Sequence, residues 1–318
     1  MKKLLLASTA LVMSAGVAAA DVSVSGDGRM GVIYNSTAVG DKWGFTQRIR
    51  IAFNASGTTD SGLTFGGFVR SQDSIPAALG AVGAVAPSIS SGAHNVFIAG
   101  AFGRLSMGDV AGAALTVSGD LHDVGLTGLN FTNEQTYFHR NFGGGALAGA
   151  APFGNGGPNA LYTYSMAGFT FAFSMSQPRG PVDVYGVGIR YQMDGFDIGL
   201  GYEHADVPGP SLNHITLGGG YTFGDIAVRA VYGRANNNAQ AALGLARKDQ
   251  FGLSVRGTFD AVTGTIYARR DFANRRHIGI GGIYDLGGGA SLRGGVVRRT
   301  GAGAPSQTVA DFGVNMSF

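Results

Sequence analysis

The chain has 318 residues, 55 of them Gly, 9 Pro and none Cys, with a formal net charge of +3. The absence of Cys excludes a disulfide scaffold, a Cys-ligated zinc site and a thiol nucleophile. Gly far above the usual share of about 7%, with no Gly-X-Y period, excludes collagen, and so balanced a charge is no footprint for nucleic acid.

Met1-Lys2-Lys3 is a short basic stretch. Leu4 to about Val17 is apolar, and Ala18-Ala19-Ala20 supplies small residues before Asp21. This layout predicts a secretory signal peptide over residues 1–20 and a mature domain over 21–318. Removing Lys2 and Lys3 leaves 21 basic against 20 acidic residues. Beyond the leader there is no apolar run of about 18 residues, so no transmembrane helix is expected.

From Asp21 the pattern alternates with period 2, as a strand requires. Val22, Val24, Met30, Val32 and Tyr34 share one face, and Asp27 and Arg29 lie on the other. The second strand sets Phe45, Ile49, Ile51 and Phe53 against Thr46, Arg48 and Arg50. The third sets Leu63, Phe65 and Val69 against Arg70 and Gln72. After a longer loop over 74–93 come Asn95–Gly100 and Arg104–Asp109. A segment of roughly fifty residues follows, about 110–158, rich in Gly, Ala and Asn. A loop of that length inside a compact domain is functional or disordered.

The alternation then resumes as hairpins: Ala160–Met166 with Phe169–Met175, Val184–Met193 with Phe196–His204, Leu212–Thr222 with Ile226–Arg234, Gln250–Thr258 with Thr265–Asp271, and His277–Asp285 with Ala290–Arg299. Val309–Phe318 closes the chain. The reading gives about sixteen strands. Short turns alternate with longer loops (36–44, 74–93, 110–158, 177–183, 205–211, 235–249, 300–307), the asymmetry of outer-membrane barrels. The expected fold is therefore all-β: a transmembrane antiparallel β-barrel with a long third loop folded into its lumen.

A soluble sandwich would also alternate, but three features favour the barrel. Arg29, Arg48, Arg50, Arg70, Arg190, Arg229, Arg256 and Arg269 all fall on the polar phase, too much charge for a sandwich core. Tyr34, Phe45, Phe53, Tyr185, Tyr191, Tyr284 and Phe318 sit near strand ends on the apolar phase, as interfacial belts would place them. Finally, Phe312, Val314, Met316 and Phe318 share one face of the last strand. In lipid only closure pairs every backbone group of such strands.

DVSVSGDGRMGVIY (Asp21 to Tyr34), GAFGRLSMGD (Gly100 to Asp109), LYTYSMAGFTFAFS (Leu161 to Ser174) and GVNMSF (Gly313 to Phe318) are spread over nearly the whole mature chain. In these stretches it resembles the general-diffusion porins of alphaproteobacteria, the sixteen-stranded trimeric type. The resemblance implies a homotrimer in the outer membrane of a Gram-negative bacterium. It also implies a third external loop inside the barrel and an eyelet where acidic loop residues oppose a basic wall. Outer-membrane lipid, lipopolysaccharide, ions and small hydrophilic solutes are the expected partners. The loop at 74–93 is expected to latch a neighbouring subunit.

For the eyelet, Arg29, Arg48, Arg50 and Arg70 are the basic candidates, and Asp109, Asp120, Asp123 and Glu134 the acidic ones. Opposed clusters set up a transverse field that low-dielectric walls focus, which orients water and sets selectivity. For any one of these residues a solvated position at the rim or in a turn is the plain alternative.

Two other signals count for less. Gly26-Asp27-Gly28-Arg29-Met30-Gly31 matches G-x-G-x-x-G, but the strand runs straight through it, without the helix a dinucleotide site needs. Asp120, His122 and Asp123 could ligate calcium, with a hydrated loop favoured. A barrel enzyme would need a Ser-His or Asp-His constellation, and the six His are scattered. An adhesin, a plugged receptor and a solute-specific channel are the other classes. Saturation of flux would identify the solute-specific channel.

Overall fold

The computed structural model describes residues 21–75, 90–140, 159–177, 182–301, 303 and 305–318. The expected leader (1–20), most of the expected latch (76–89) and the second half of the long segment (141–158) lie outside the described residues.

Sixteen strands form one closed sheet. In chain order they are β1 Asp21–Asn35, β2 Trp43–Thr58, β3 Thr64–Ile75, β4 Ser90–Gly100, β5 Gly103–Gly108, β6 Asn159–Met166, β7 Phe169–Ser176 and β8 Asp183–Met193. They continue as β9 Phe196–Asp206, β10 Leu212–Phe223, β11 Ile226–Ala235, β12 Asp249–Phe259, β13 Val262–Arg270, β14 Arg275–Gly287, β15 Ala290–Gly301 and β16 Gln307–Ser317. Each strand pairs antiparallel with its chain neighbours, and β1 closes on β16 from Asp27↔Ser317 to Asn35↔Val309. All sixteen expected strands are present, most of them longer than the alternation alone marks. The short turns carry the chemistry a two-residue hairpin demands: Ala167-Gly168 at φ 51° and 83°, and Asp194-Gly195 at φ 45° and 80°. Positive φ at both central residues matches the twist of the flanking strands.

The two phases of each strand meet different surroundings. Outward side chains are large, apolar and exposed, such as Phe173, Leu200, Leu253 and Ile280, the last 59% exposed. An apolar band of that size running around the sheet is a lipid-facing surface, not a water-facing one. The belt aromatics Phe45, Phe53, Tyr185, Tyr284 and Phe318 share this exposure. Tyr34 packs on Trp43 and Tyr191 on Phe169, with centroids 4.9 and 4.6 Å apart.

The buried core is not at the sheet's outer face. It lies inside, between the wall and the long third loop. From the end of β5 the loop runs along the inner wall to β16 and β1, then turns back to β9. On the way it forms a six-residue helix, α1 (Ala113–Ser118), and a 3₁₀ turn at Leu129–Phe131. Sequence alternation does not reveal either, because both take their shape from the wall they press on. Ala113 and Val117 of α1 pack on Ala172 of β7, and Leu121, Val124 and Leu129 pack on Val231, Tyr267, Val297 and Val309. Phe138 joins Val184, Ala205, Leu212 and Phe272 at the loop-side mouth. There a second short helix, α2 (Asn237–Ala242), is capped by Asn236, whose side chain accepts from Ala239 N at 2.8 Å.

The seat of α1 is built from absent side chains. A Cβ on Gly218 would stand 1.8 Å from Ser118 O, and one on Gly199 2.0 Å from Val117 O. Gly218→Ala should therefore lift α1 from the wall at a cost of about 1–3 kcal/mol, although Ala by itself suits a strand better than Gly. Thermal unfolding of the refolded protein together with protease nicking near residue 118 checks this. Unchanged stability and an uncut loop would show that the glycine seat does not hold α1.

Candidate pore constriction

A loop folded inside a barrel carries backbone N–H and C=O groups that must be paired. The wall supplies those partners from its inward phase. Asp311 of β16 accepts from Leu126 N at 2.9 Å, Thr127 N at 2.6 Å and Thr127 Oγ1 at 2.7 Å. Glu203 of β9, fully buried, accepts from Phe138 N and His139 N, both at 2.9 Å, and stands 2.8 Å from His214 Nδ1. Gln250 of β12 bonds Thr136 in both directions: Thr136 N donates to Oε1 at 2.9 Å, and Nε2 donates to Thr136 O at 2.8 Å. Ser174 accepts from Ala113 N at 2.8 Å and Ser254 from His122 N at 3.1 Å.

The loop carbonyls are met by arginines. Arg229 donates through Nε to Asp120 O at 2.8 Å and through Nη2 to Ser118 O, while its Nη1 holds Asp197. Arg256 donates to Asp123 O at 3.1 Å and Asp123 Oδ1 at 2.7 Å, and Arg269 donates to Thr132 O at 3.1 Å. The polar-phase arginines thus divide. Arg229, Arg256 and Arg269 hold the loop, with Arg190 on the shared carboxylate of Asp197 at 3.1 Å. Arg29, Arg48 and Arg50 stand on β1 and β2, and Arg70 on β3, an arc that the described part of the loop reaches only at its far end.

A lumen space of about 450 Å³ separates this arc from the loop. Arg29, Arg48, Arg293 and Asn315 line it on the wall side; Asp123, Leu126, Thr127 and Glu134 line it on the loop side. Arg29 Nη1 donates to Leu126 O at 3.3 Å, Arg48 pairs with Asp27 at 2.5 Å, and Arg50 Nε donates to Gln72 at 3.0 Å. Arg29 and Arg48 are directly opposite in the β1–β2 register.

The acidic candidates are not brought together in the same way. Asp123, its side chain 63% exposed, faces the space while paired with Arg256. Glu134 also lines it, but lies 3.1 Å from Arg140 of its own loop. Asp120 is bonded to Arg140 and accepts from Gln135 N at 2.7 Å, so it braces the loop. Asp109 sits at the loop root, where its amide donates to His94 O at 2.6 Å, and is not part of the lining. Burial opposes the charge on Arg140, yet Asp120 and Glu134 outweigh it and raise its pKa. Burial also lowers the pKa of His122, with Arg256 and Arg229 adding to the effect, and burial lowers that of His139 against the pull of Glu203.

The calcium site weighed for Asp120, His122 and Asp123 has no donor set: among the described residues no three His, Cys, Asp or Glu stand close enough to hold a metal ion. Sequence reading missed Asp311, Glu203, Gln250, Arg140 and Arg293. Asp311 and Glu203 did leave a signal: Asp311 is the one charged residue of β16, and Glu203 shares the inward phase of β9 with Asp197. Arg140 left none, since its role depends on how the loop folds back.

The Gram-negative porin family model matches residues 7–303. A porin of Rhodobacter capsulatus is 35% identical over 94% of this chain and all of its own length. A porin structure refined at 1.8 Å resolution is 32% identical, with a TM-score of 0.72 over 94% of this chain and 100% of the other. A variant of the Rh. blastica porin, 23% identical at the same coverage with a TM-score of 0.68, shares the fold. Barrel, apolar girdle, inward loop and relatives agree that this is an outer-membrane channel protein and not an enzyme: the chain belongs to the Gram-negative porin family.

Proposed function

We propose that the channel serves passive diffusion of ions and small hydrophilic solutes, and that its constriction lies between the arginine arc and the third loop. Arg29, Arg48, Arg50 and Arg70 supply the basic side, and Asp123 and Glu134 the acidic side. Asp109 and Asp120 act behind them, at the loop root and in its bracing. The observation that carries this reading is the shared lumen space with Arg29 and Arg48 on one side and Asp123 and Glu134 on the other. A field across this space orients water, so polar solutes pass and apolar ones are slowed.

Three further features belong to the same reading. Residues 1–20 act as a cleaved export signal, and 21–318 belong to the channel domain. The working unit is a homotrimer. The rim that carries the longer loops meets the phosphates of lipopolysaccharide: Arg270 and Arg276 face each other on the outward phase there, and Arg298 lies opposite the apolar Ile278.

Refolded protein in a planar lipid bilayer should give large, long-lived conductance steps that close in thirds at high voltage. Folded, inserted protein that gives no steps would refute the diffusion channel. Single-sized closures would refute the trimer alone.

Docking of the loop should also depend on pH. His139 is buried against Glu203 with its pKa lowered, so below about pH 6.5 an undocked loop takes up a proton that the docked loop does not. Stability of docking is thus lost as pH falls from the free value toward the lowered one. Open-channel current noise should rise between pH 7 and 5, and His139→Gln should flatten that rise. A noise level indifferent to pH in the wild-type protein would remove His139 from this role.

A further inference from the structure

We infer that the passage prefers anions, and that Arg29 and Arg293 form a transit site in it for phosphate- or carboxylate-bearing solutes. This rests on the channel reading above and adds the class of solute. The first observation is where the negative charge goes. The segments 76–89 and 141–158 contain no Asp or Glu, so neither can bring an acid to the lumen. The acids that do lie around the constriction are already engaged. Asp27 pairs with Arg48 at 2.5 Å, Asp123 with Arg256 at 2.7 Å, and Glu134 with Arg140 at 3.1 Å. Asp120 pairs with Arg140 as well, and Asp311 is occupied by three loop donors.

The second observation is where positive charge is left over. Arg29, Arg50 and Arg293 make no ion pair among the described residues. Among these residues each donates to one neutral acceptor: Leu126 O at 3.3 Å, Gln72 Oε1 at 3.0 Å and Ser291 Oγ at 3.0 Å. A guanidinium carries five N–H donors in a rigid fork, so most of each fork is unused by the protein, and Arg29 Nε is buried without a partner. Like charges placed directly opposite across a sheet repel, and Arg29 faces Arg48 in that way. An anion in front of the pair relieves the repulsion.

The third observation is the room. Arg29 and Arg293 both open on the 450 Å³ lumen space, with Asn315 between their strands and the Leu126–Gly128 stretch of loop across from them. The fork geometry of arginine matches phosphate and carboxylate oxygens two at a time. Arg50, two residues beyond Arg48 on the same strand face, continues the positive path along the wall. Such a site need hold an anion only briefly: conduction requires binding favourable enough to enter and weak enough to leave.

The test uses the refolded full-length protein in a planar bilayer under a potassium chloride gradient, with inorganic phosphate as the probe. The expected reversal potential lies toward that of chloride, and phosphate at millimolar concentration lowers the chloride current in a saturating way. The double variant Arg29→Gln, Arg293→Gln should move the reversal potential toward that of potassium and weaken phosphate inhibition by about a hundredfold, since each lost bond to a charged group is worth about tenfold. The single variant Arg293→Gln loses only a bond to Ser291 and should give part of both changes, which covers a double variant that does not refold. Steps with a potassium-like reversal potential would overturn the anion preference, and phosphate inhibition unchanged in the variants would overturn the site. Loss of steps in the wild-type protein would instead strike the channel reading beneath both.

Discussion

The structure depends on one constraint. The described part of the long third loop, 109–140, lies inside the barrel, and every polar backbone group it buries needs a partner there. An unpaired amide or carbonyl costs far more than a bond made in water returns. The wall meets this need with side chains of matched kind. Carboxylates and an amide oxygen receive the loop N–H groups at Asp311, Glu203 and Gln250. Guanidinium groups donate to the loop carbonyls at Arg229, Arg256 and Arg269. Buried charge is tolerable in this setting because each charged group bonds to several partners at once.

This constraint separates arginines that alternation makes look alike. All eight of the polar phase face inward, yet their tasks follow from the direction the loop takes. From β7 to β13 the inner wall is covered, and its arginines are structural. On β1 to β3 the described part of the loop reaches the wall only at Leu126, where Arg29 donates at 3.3 Å. The same property, a permanently charged planar donor, serves as a clamp on one arc and faces the lumen on the other. Glycine divides in a similar way. Some glycines turn hairpins at positive φ, as at Gly168 and Gly195. Others, such as Gly199 and Gly218, have ordinary strand conformations and are small so that α1 can lie on the sheet.

Sixteen strands, their order and the short turns were legible in the sequence, because period-2 alternation and turn residues are local signals, whereas the inward path of the long segment was expected from its length and from the family resemblance. The glycine seat was not legible, because a strand glycine looks the same whether it faces water or a helix. Nor were α1 and α2, six residues each, whose helicity comes from packing more than from propensity. The site was legible by composition and not by pairing. Arg29 and Arg48 were identifiable as wall residues from their phase. That Asp120 and Glu134 would fold onto Arg140 depends on the loop's return path, and nothing in the spacing of 120, 134 and 140 encodes it.

That return path decides the electrostatics of the lumen. A loop with three acids and one arginine, and a fourth acid, Asp109, at its root, reads from composition as a negative strap facing a positive wall. Folded, it brings Arg140 between Asp120 and Glu134, and Arg256 of the wall reaches Asp123. Much of the loop's charge is therefore engaged in holding the loop's own shape. On β1 and β15 less of the wall's charge is cancelled, since Asp27 makes its ion pair with Arg48, and Asp311 accepts from two loop amides and from Thr127 Oγ1. The carboxylate that fixes the loop tip thus spends its hydrogen bonds on the loop and forms no direct ion pair with Arg29. Docking the loop and exposing uncompensated positive charge are consequences of the same bonds, so a change that frees Asp311 alters both the shape of the passage and its sign.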